Sequence, residues 1–229
     1  SSKDAGKICA SWHQYKAQEE IVSLAKKFNI EIIFFHGRGG SAGRGGGPIQ
    51  ATLRSLPPNS VNGKIRITDQ GEVIQQKYGY EPLANYNLCS YIGAVTEATL
   101  NPPPSPKNSW RKLIEKMSDI SKSSYRKNIN QSSDFIKYFE TVTPHKALGK
   151  LSIGSRPSKR KNIDNIKSLR AIPWVFAWTQ IRLMLPAWLG SAEALRYSYI
   201  HKFRRTLLDM EKNWPFFNSM LDTLDMVIA

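Results

Sequence analysis

The chain has 229 residues, 41% of them hydrophobic and 10% aromatic, which is enough apolar surface to bury a core and excludes a wholly disordered protein. Its formal net charge of +15 would suit a nucleic acid or an acidic membrane as a partner. However, the basic residues are spread over three clusters, at 107–127, 156–170 and 196–205, and are not gathered in one tract.

The first elements predicted along the chain are a helix and a strand. Apolar residues recur at helical spacing over 10–28, and the short apolar run at 29–35 predicts a buried strand. After a loop, Pro48 opens a helix over 49–56, which two prolines end. The alternating run at 64–68 predicts a second strand.

The loop between the first strand and the next helix is rich in glycine and carries His36, Arg38 and Arg44. Glycines allow positive φ and let backbone N–H groups approach a ligand closely. Together with the guanidinium groups, they indicate a site for an anion with several oxygens, above all a phosphate. The composition also matches an RGG-type RNA-binding tract, although such tracts are long and disordered. No Gly-Lys-Ser/Thr closes the loop, which argues against a nucleotide P-loop.

The rest of the chain predicts mainly helices. They cover 86–100, 110–139, 192–210 and 216–228, with a proline-rich loop at 102–108 and short strands at 152–155 and 172–178. The apolar window 171–190 has the length of a membrane span, but its central Arg182 would be costly in lipid. We therefore expect a buried strand followed by a helix there, with Trp174, Trp178 and Trp188 in the core.

Cysteine usage and the first residues bear on the compartment. Cys9 and Cys89 have no motif around them and predict buried, reduced thiols. The chain begins Ser-Ser-Lys-Asp, with no apolar targeting segment. These features predict a cytoplasmic protein without a membrane partner.

Four ordered stretches resemble the signatures of the phosphoenolpyruvate carboxylase family. The glycine loop, FHGRGGSAGRGGGP at 35–48, is the most specific. SSKDAG at 1–6 is similar to the tail of an active-site signature, and GSRPSKR at 154–160 and SLRAIPWVFAWTQ at 168–180 are similar to two further motifs. WPFF at 214–217 extends the resemblance almost to the end of the chain.

The resemblance implies an α/β, predominantly helical fold that is part of a TIM-type α/β barrel, with about four of its strands in this chain and the active site at the strand ends. We interpret 1–229 as a single partial catalytic-barrel region from the C-terminal half of a longer chain, with a helical, loop-rich insertion at about 102–140. The implied reaction is carboxylation of phosphoenolpyruvate by bicarbonate to oxaloacetate and phosphate, which feeds the citric acid cycle. The implied cofactor is Mg²⁺ or Mn²⁺, and the implied assembly is a homotetramer.

The resemblance assigns substrate binding to two arginines. Arg156 and Arg170 lie in the motifs that bind the substrate phosphate, whose oxygens a guanidinium group can bind bidentately. Lys77 is a further possible site residue, because family members keep a basic residue after the segment at 70–72.

Four more residues receive catalytic roles from the resemblance. Lys3 would lie near the bicarbonate and His36 near the carboxylation site. Arg38 would orient phosphate or carboxyphosphate. Arg44 would belong to the active site, and in some members it also binds an inhibitory carboxylate effector.

The resemblance places other functional groups outside this chain. A metal-binding aspartate would stand immediately before Ser1, and a second carboxylate ligand and the proton-transfer histidine further upstream. We therefore predict no metal ligand within 1–229 and no catalysis by this segment alone. The sequence does not decide whether Ser1 and Ala229 are natural ends or cloning boundaries. A non-catalytic remnant is a third interpretation that the residues leave open.

The residues also leave open a function of another class. The chain could be an RNA-binding module that uses the Gly/Arg loop and the basic clusters. It predicts an affinity for polynucleotide that falls steeply with salt. The carboxylase interpretation predicts no nucleic-acid partner.

Overall fold

The computed structural model describes residues 2–37, 48–69, 71–129, 131–132, 134–148 and 171–228. The described chain is predominantly helical, as predicted. Its helices are α1 (Ser2–Ala5), α2 (Lys7–Phe28), α3 (Ile49–Arg54), α4 (Gly71–Tyr78), α5 (Glu81–Leu100), α6 (Asn108–Ile129), α7 (Asp134–Val142), α8 (His145–Leu148), α9 (Ala171–Thr179), α10 (Leu185–Trp188), α11 (Ser191–Ile200), α12 (Arg204–Asn213) and α13 (Pro215–Ile228). The strands in these residues are β1 (Phe35–Gly37) and β2 (Arg66–Thr68).

The described residues form two compact units. The first unit takes in those within Ser1–Trp12 and Lys112–Phe203, with Ile228. The second unit takes in those within His13–Arg111 and Arg204–Val227.

The core of the first unit is aromatic. The rings of Trp174 and Trp178 meet edge to face with centroids 5.5 Å apart. Phe139 packs on both rings, at 5.0 and 5.3 Å. All three side chains are at most 2% exposed, and Trp188 packs against the same cluster while partly buried. The prediction that Trp174 and Trp178 belong to the core is confirmed.

The strand predicted at 172–178 is wrong, because this segment forms helix α9. Pro173 lies in the first turn of the helix, where its missing N–H costs little. The four-residue spacing of Trp174 and Trp178 places both on one helical face, which the core buries. A short apolar run fits a buried strand and a buried helix equally well, so its pattern alone does not separate them. The strand predicted at 152–155 lies outside the described residues.

Two long predicted helices are each divided. The run 110–139 forms α6, which ends at Ile129, and α7, which begins at Asp134. The run 192–210 forms α11 and α12, and between them Lys202 has φ 63°. A left-handed residue cannot continue an α-helix, so the chain must restart there.

Other predictions hold more closely. The helices predicted at 10–28, 49–56, 86–100 and 216–228 are confirmed as α2, α3, α5 and α13, with boundaries that shift by up to five residues. Helix α4 was not predicted. Of the two cysteines, neither forms a disulfide, but Cys89 lies exposed on α5, so only Cys9 is buried as expected.

The second unit contains a short parallel sheet. Strand β2 confirms the strand predicted at 64–68 and pairs with β1 in the register His36↔Ile67. Helix α3 lies between the two strands in sequence and packs against α5. Leu53 of α3 and Ala94 and Ala98 of α5 are buried together.

The strand predicted at 29–35 is wrong in both length and burial. Strand β1 begins only at Phe35. Ile30 is 61% exposed and Phe35 is 64% exposed, so this apolar run is not a core strand among the described residues. A strand is buried only where other elements cover its faces, and its own sequence does not supply them.

Every helix among the described residues is either too short or too polar to span a lipid bilayer.

Candidate active site

The carboxyl edge of the β1–β2 pair gathers part of the predicted site. Parallel strands end at the same edge of a sheet, so the chain that leaves β1 and the chain that leaves β2 begin close together. His36 lies in β1, one residue before its end, and the glycine loop follows directly. Asp69 follows the last residue of β2.

Asp69 organises the polar side chains at this edge. Its Oδ1 lies 2.6 Å from Nζ of Lys77, and its Oδ2 accepts a hydrogen bond of 3.1 Å from the hydroxyl of Tyr78. The Lys77 and Asp69 side chains are 27% and 14% exposed. Asn87 of α5 donates to the Lys77 carbonyl at 2.9 Å, which ties the end of α4 to α5.

The hydroxyl of Tyr78 stays protonated, and therefore donates a hydrogen bond, over the whole physiological pH range. Burial, together with the Asp69 carboxylate that accepts its hydrogen bond, raises the pKa of Tyr78 to about 12. Both oxygens of Asp69 are therefore occupied by donors, and Lys77 is held by a carboxylate while part of its side chain still reaches solvent. A cation held in this way can donate its remaining N–H groups to an anion.

Lys3 belongs to the first unit, where it lies in the short helix α1. Its side chain is only 9% exposed, which is unusual for a lysine. The backbone around it is held by the end of α6. The buried hydroxyl of Tyr125 donates to the Lys3 carbonyl at 2.9 Å, and Nε of Arg126 donates to the Asp4 carbonyl at 3.2 Å.

Helix α1 also packs against α9 and α10. Helix α9 begins at Ala171, the residue that follows Arg170. The structure therefore brings the helix that carries Lys3 next to the helix that Arg170 precedes. Arg170 itself lies outside the described residues, as do Arg38, Arg44 and Arg156.

Comparison with known proteins identifies the family. The sequence model of the family described as phosphoenolpyruvate carboxylase matches residues 1–229. The chain belongs to this family. It is 50% identical over 229 residues to a phosphoenolpyruvate carboxylase of Marinobacter nauticus and 51% identical to one of Acinetobacter baumannii. It is 50% identical to another of Shewanella oneidensis.

Each of these alignments covers 100% of this chain and 26% of the relative. The chain therefore spans about a quarter of the length of the phosphoenolpyruvate carboxylases that it matches. These matches give no support to the RNA-binding alternative.

The divalent metal of the phosphoenolpyruvate carboxylase family does not fit the described side chains. Among them, no group of three or more His, Cys, Asp or Glu residues could hold a metal ion. Asp69, which lies at the sheet edge, already accepts from Lys77 and Tyr78.

Two residues that bind candidate site residues, Asp69 in the second unit and Tyr125 in the first, were not predicted from the sequence. Asp69 could have been suspected as a carboxylate directly after a predicted strand, eight residues before a lysine. Tyr125 gave only a weak signal, a tyrosine on the apolar face of a helix, whose hydroxyl needs a partner when buried. The 122-residue separation between Tyr125 and Lys3 hides that partner.

Proposed function

We propose that the protein of which these residues form part carboxylates phosphoenolpyruvate with bicarbonate, giving oxaloacetate and phosphate. The observation that carries the proposal is the family match over all 229 residues, which includes every signature motif described above. The likeness extends at about 50% identity to relatives named phosphoenolpyruvate carboxylase.

The charges of the reactants explain the residue types. Phosphoenolpyruvate, bicarbonate and both products are anions, so the site must offer fixed cations. In the proposed reaction, the phosphoryl group passes from phosphoenolpyruvate to bicarbonate, which forms carboxyphosphate and leaves the enolate of pyruvate. Carboxyphosphate then splits into phosphate and carbon dioxide, and the enolate attacks this carbon dioxide to form the new carbon–carbon bond. Arg156 and Arg170 would hold the phosphoryl oxygens, and Lys3 would attract the bicarbonate.

The glycine loop would supply further site residues. We propose that Arg38 orients the transferred phosphate and that Arg44 serves the active site and binds a carboxylate effector. His36 would lie beside the carbon that is carboxylated. Lys77 would add positive charge at the same sheet edge, where Asp69 holds its ammonium group.

The implied metal, Mg²⁺ or Mn²⁺, would neutralise the charge of the developing enolate when bound. A hard divalent cation requires several oxygen ligands. The described side chains do not form such a set, so residues elsewhere in the protein would have to supply it.

We further propose that this region is part of a TIM-type α/β barrel. The parallel pair β1–β2 with α3 between its strands has the strand–helix–strand form from which such barrels are built. In the complete protein we expect a cytoplasmic homotetramer, on the basis of family resemblance.

The test is the activity of the full-length protein, measured as oxaloacetate formation coupled to a reductase. We expect activity that depends on both phosphoenolpyruvate and bicarbonate. Arg156→Ala and Arg170→Ala should each lower kcat by a factor on the order of 100–1000, the usual loss when a fixed donor to a developing charge is removed. Arg196→Ala, at an exposed position of α11, is the matched control and should leave kcat unchanged. Near-normal kcat/KM in both arginine variants would contradict the assignment.

A further inference from the structure

The end of α6 holds the backbone of α1 at two consecutive carbonyl groups. Tyr125 donates to the carbonyl of Lys3, and the next residue, Arg126, donates to the carbonyl of Asp4. Helix α1 has only four residues, so it cannot satisfy all of its own carbonyls by internal hydrogen bonds. The neighbouring helix therefore contributes donors that α1 lacks.

The two donors differ in their exposure to water. Tyr125 is 0% exposed, whereas the bond of Arg126 is exposed. Water competes with an exposed hydrogen bond but not with a buried one, so the bond of Tyr125 is the stronger constraint. Burial also raises the pKa of Tyr125 above its ordinary value, so the hydroxyl stays protonated and can donate at neutral pH.

Gly6, which directly follows α1, packs against the same tyrosine. It has φ +76°, which lets the chain turn between α1 and α2. A Cβ at Gly6 would lie 3.2 Å from the Tyr125 ring and 3.4 Å from the Leu189 carbonyl oxygen. The turn after α1 therefore packs directly on the tyrosine ring that binds the Lys3 carbonyl.

We propose that Tyr125 is a positioning residue for Lys3, whose ammonium group it aims by binding the backbone of α1. The proposal rests on the proposed function for the part that concerns catalysis. It does not require Tyr125 to contact substrate. The hydroxyl acts only through the position of α1, and Gly6 allows the close packing that this requires.

The first experiment measures the environment of Lys3 without any use of enzyme activity. In the full-length protein, the rate at which acetic anhydride acylates each lysine is followed by mass spectrometry. Tyr125→Phe should raise the acylation rate of Lys3 severalfold, because α1 loses its buried anchor. Lys137, an exposed lysine of the same unit, should react at an unchanged rate. Equal rates for Lys3 in the wild-type protein and the variant would overturn the proposal.

The second experiment is a double-mutant cycle on kcat/KM with Lys3→Met, which removes the charged group that Tyr125 is proposed to position. Tyr125→Phe should lower kcat/KM roughly tenfold in the wild-type background, in line with the loss of one buried hydrogen bond. It should have little further effect when Lys3 is already replaced, because the hydroxyl acts through that residue. An equal loss in both backgrounds would show a purely structural role and overturn the proposal.

Two further variants keep the test decisive. Tyr138→Phe makes the same chemical change on the exposed face of α7 and should match the wild-type protein in both experiments. If Tyr125→Phe fails to fold, Gly6→Ala replaces it, because the added Cβ disturbs the packing against the same tyrosine ring. Failure of the wild-type protein to carboxylate phosphoenolpyruvate would overturn the proposed function, whereas the acylation result would still decide the role of Tyr125.

Discussion

The two units hold their candidate side chains by different means. In the first unit, a fully buried tyrosine binds the backbone of Lys3, and the surrounding core is aromatic. In the second unit, Lys77 is held by an ion pair with Asp69 whose two side chains are still partly exposed. Interactions shielded from water tolerate little change, whereas half-exposed ion pairs contribute modestly. We therefore expect substitutions to be costlier in the first unit.

Both units also leave some large apolar side chains exposed. Phe28, Tyr86 and Ile92 of the second unit are 66–70% exposed, and Tyr199 and Ile200 of the first unit are 66% and 58% exposed. Exposed apolar patches on a soluble protein commonly mark surfaces that contact other parts of a protein. The relatives of this chain are about four times as long, so they contain ample further polypeptide for such contacts.

The largest expected effect comes from a matched pair of phenylalanines. Phe139→Ala should lower the free energy of unfolding by about 3–5 kcal/mol, because it leaves a cavity among buried rings. Phe28→Ala, at a side chain that is 67% exposed, should change it by less than about 0.5 kcal/mol in a polypeptide limited to 1–229. Urea unfolding checks both. A large cost for Phe28→Ala in the full-length protein alone would show that the rest of the chain covers it.

The next effect concerns the two lysines. Lys3→Met should lower kcat/KM about 100-fold, since it removes a fixed charge from the proposed bicarbonate site. Lys77→Met should lower it only about threefold, because Asp69 already neutralises part of that charge. Steady-state kinetics with varied bicarbonate would measure both. Equal losses would remove the functional distinction between the units.

A third test compares two glycines that both have positive φ. Gly190→Ala adds a Cβ that would clash with the backbone oxygen of Ser121, whereas a Cβ at Gly63 would meet no atom of the described residues within 4 Å. Both variants incur the strain of a left-handed residue, roughly 1–2 kcal/mol. Gly190→Ala should be destabilised by about 1–3 kcal/mol more, because the backbone must shift. Thermal unfolding of both variants gives the difference, and similar values would show that the first unit is less tightly packed than its contacts indicate.

The smallest effect is a pH dependence in the second unit. The pKa of Tyr78 rises in the fold to about 12, so folding favours the protonated hydroxyl. The stabilisation is therefore complete below about pH 10, the ordinary pKa of tyrosine, and is lost as the pH rises to about 12. The wild-type protein should be more stable than Tyr78→Phe below about pH 10, and the difference between their free energies of unfolding should shrink over that interval. Tyr86→Phe, at a side chain that is 70% exposed, should show no such trend in unfolding experiments.

Local signals in the sequence predicted most helices but not all element types. Helical spacing predicted α2 and α13, and the consecutive prolines predicted the loop before α6. The segment at 172–178 was misassigned because a short apolar run suits either a strand or a helix, and only packing decides. No glycine or proline marks the break at Lys202 in the sequence, so the run 192–210 was predicted as one helix.

The candidate site was predictable only as separate pieces. Motif resemblance pointed to Lys3 and His36, and chain order placed His36 at a strand end. The partners of such residues come from long-range contacts, which no local pattern contains. The bond from Tyr125 to Lys3 crosses 122 residues, and the pairing of β1 with β2 crosses about thirty.

The anchoring of Lys3 by Tyr125 also has a consequence for protein synthesis. A ribosome adds about 5–20 residues per second, so roughly 6–24 seconds separate the synthesis of these two residues. During that time, the carbonyl of Lys3 in helix α1 lacks the buried donor that Tyr125 supplies. Pausing of translation before α6 has been completed would therefore prolong the lifetime of a nascent chain in which Lys3 is not yet anchored.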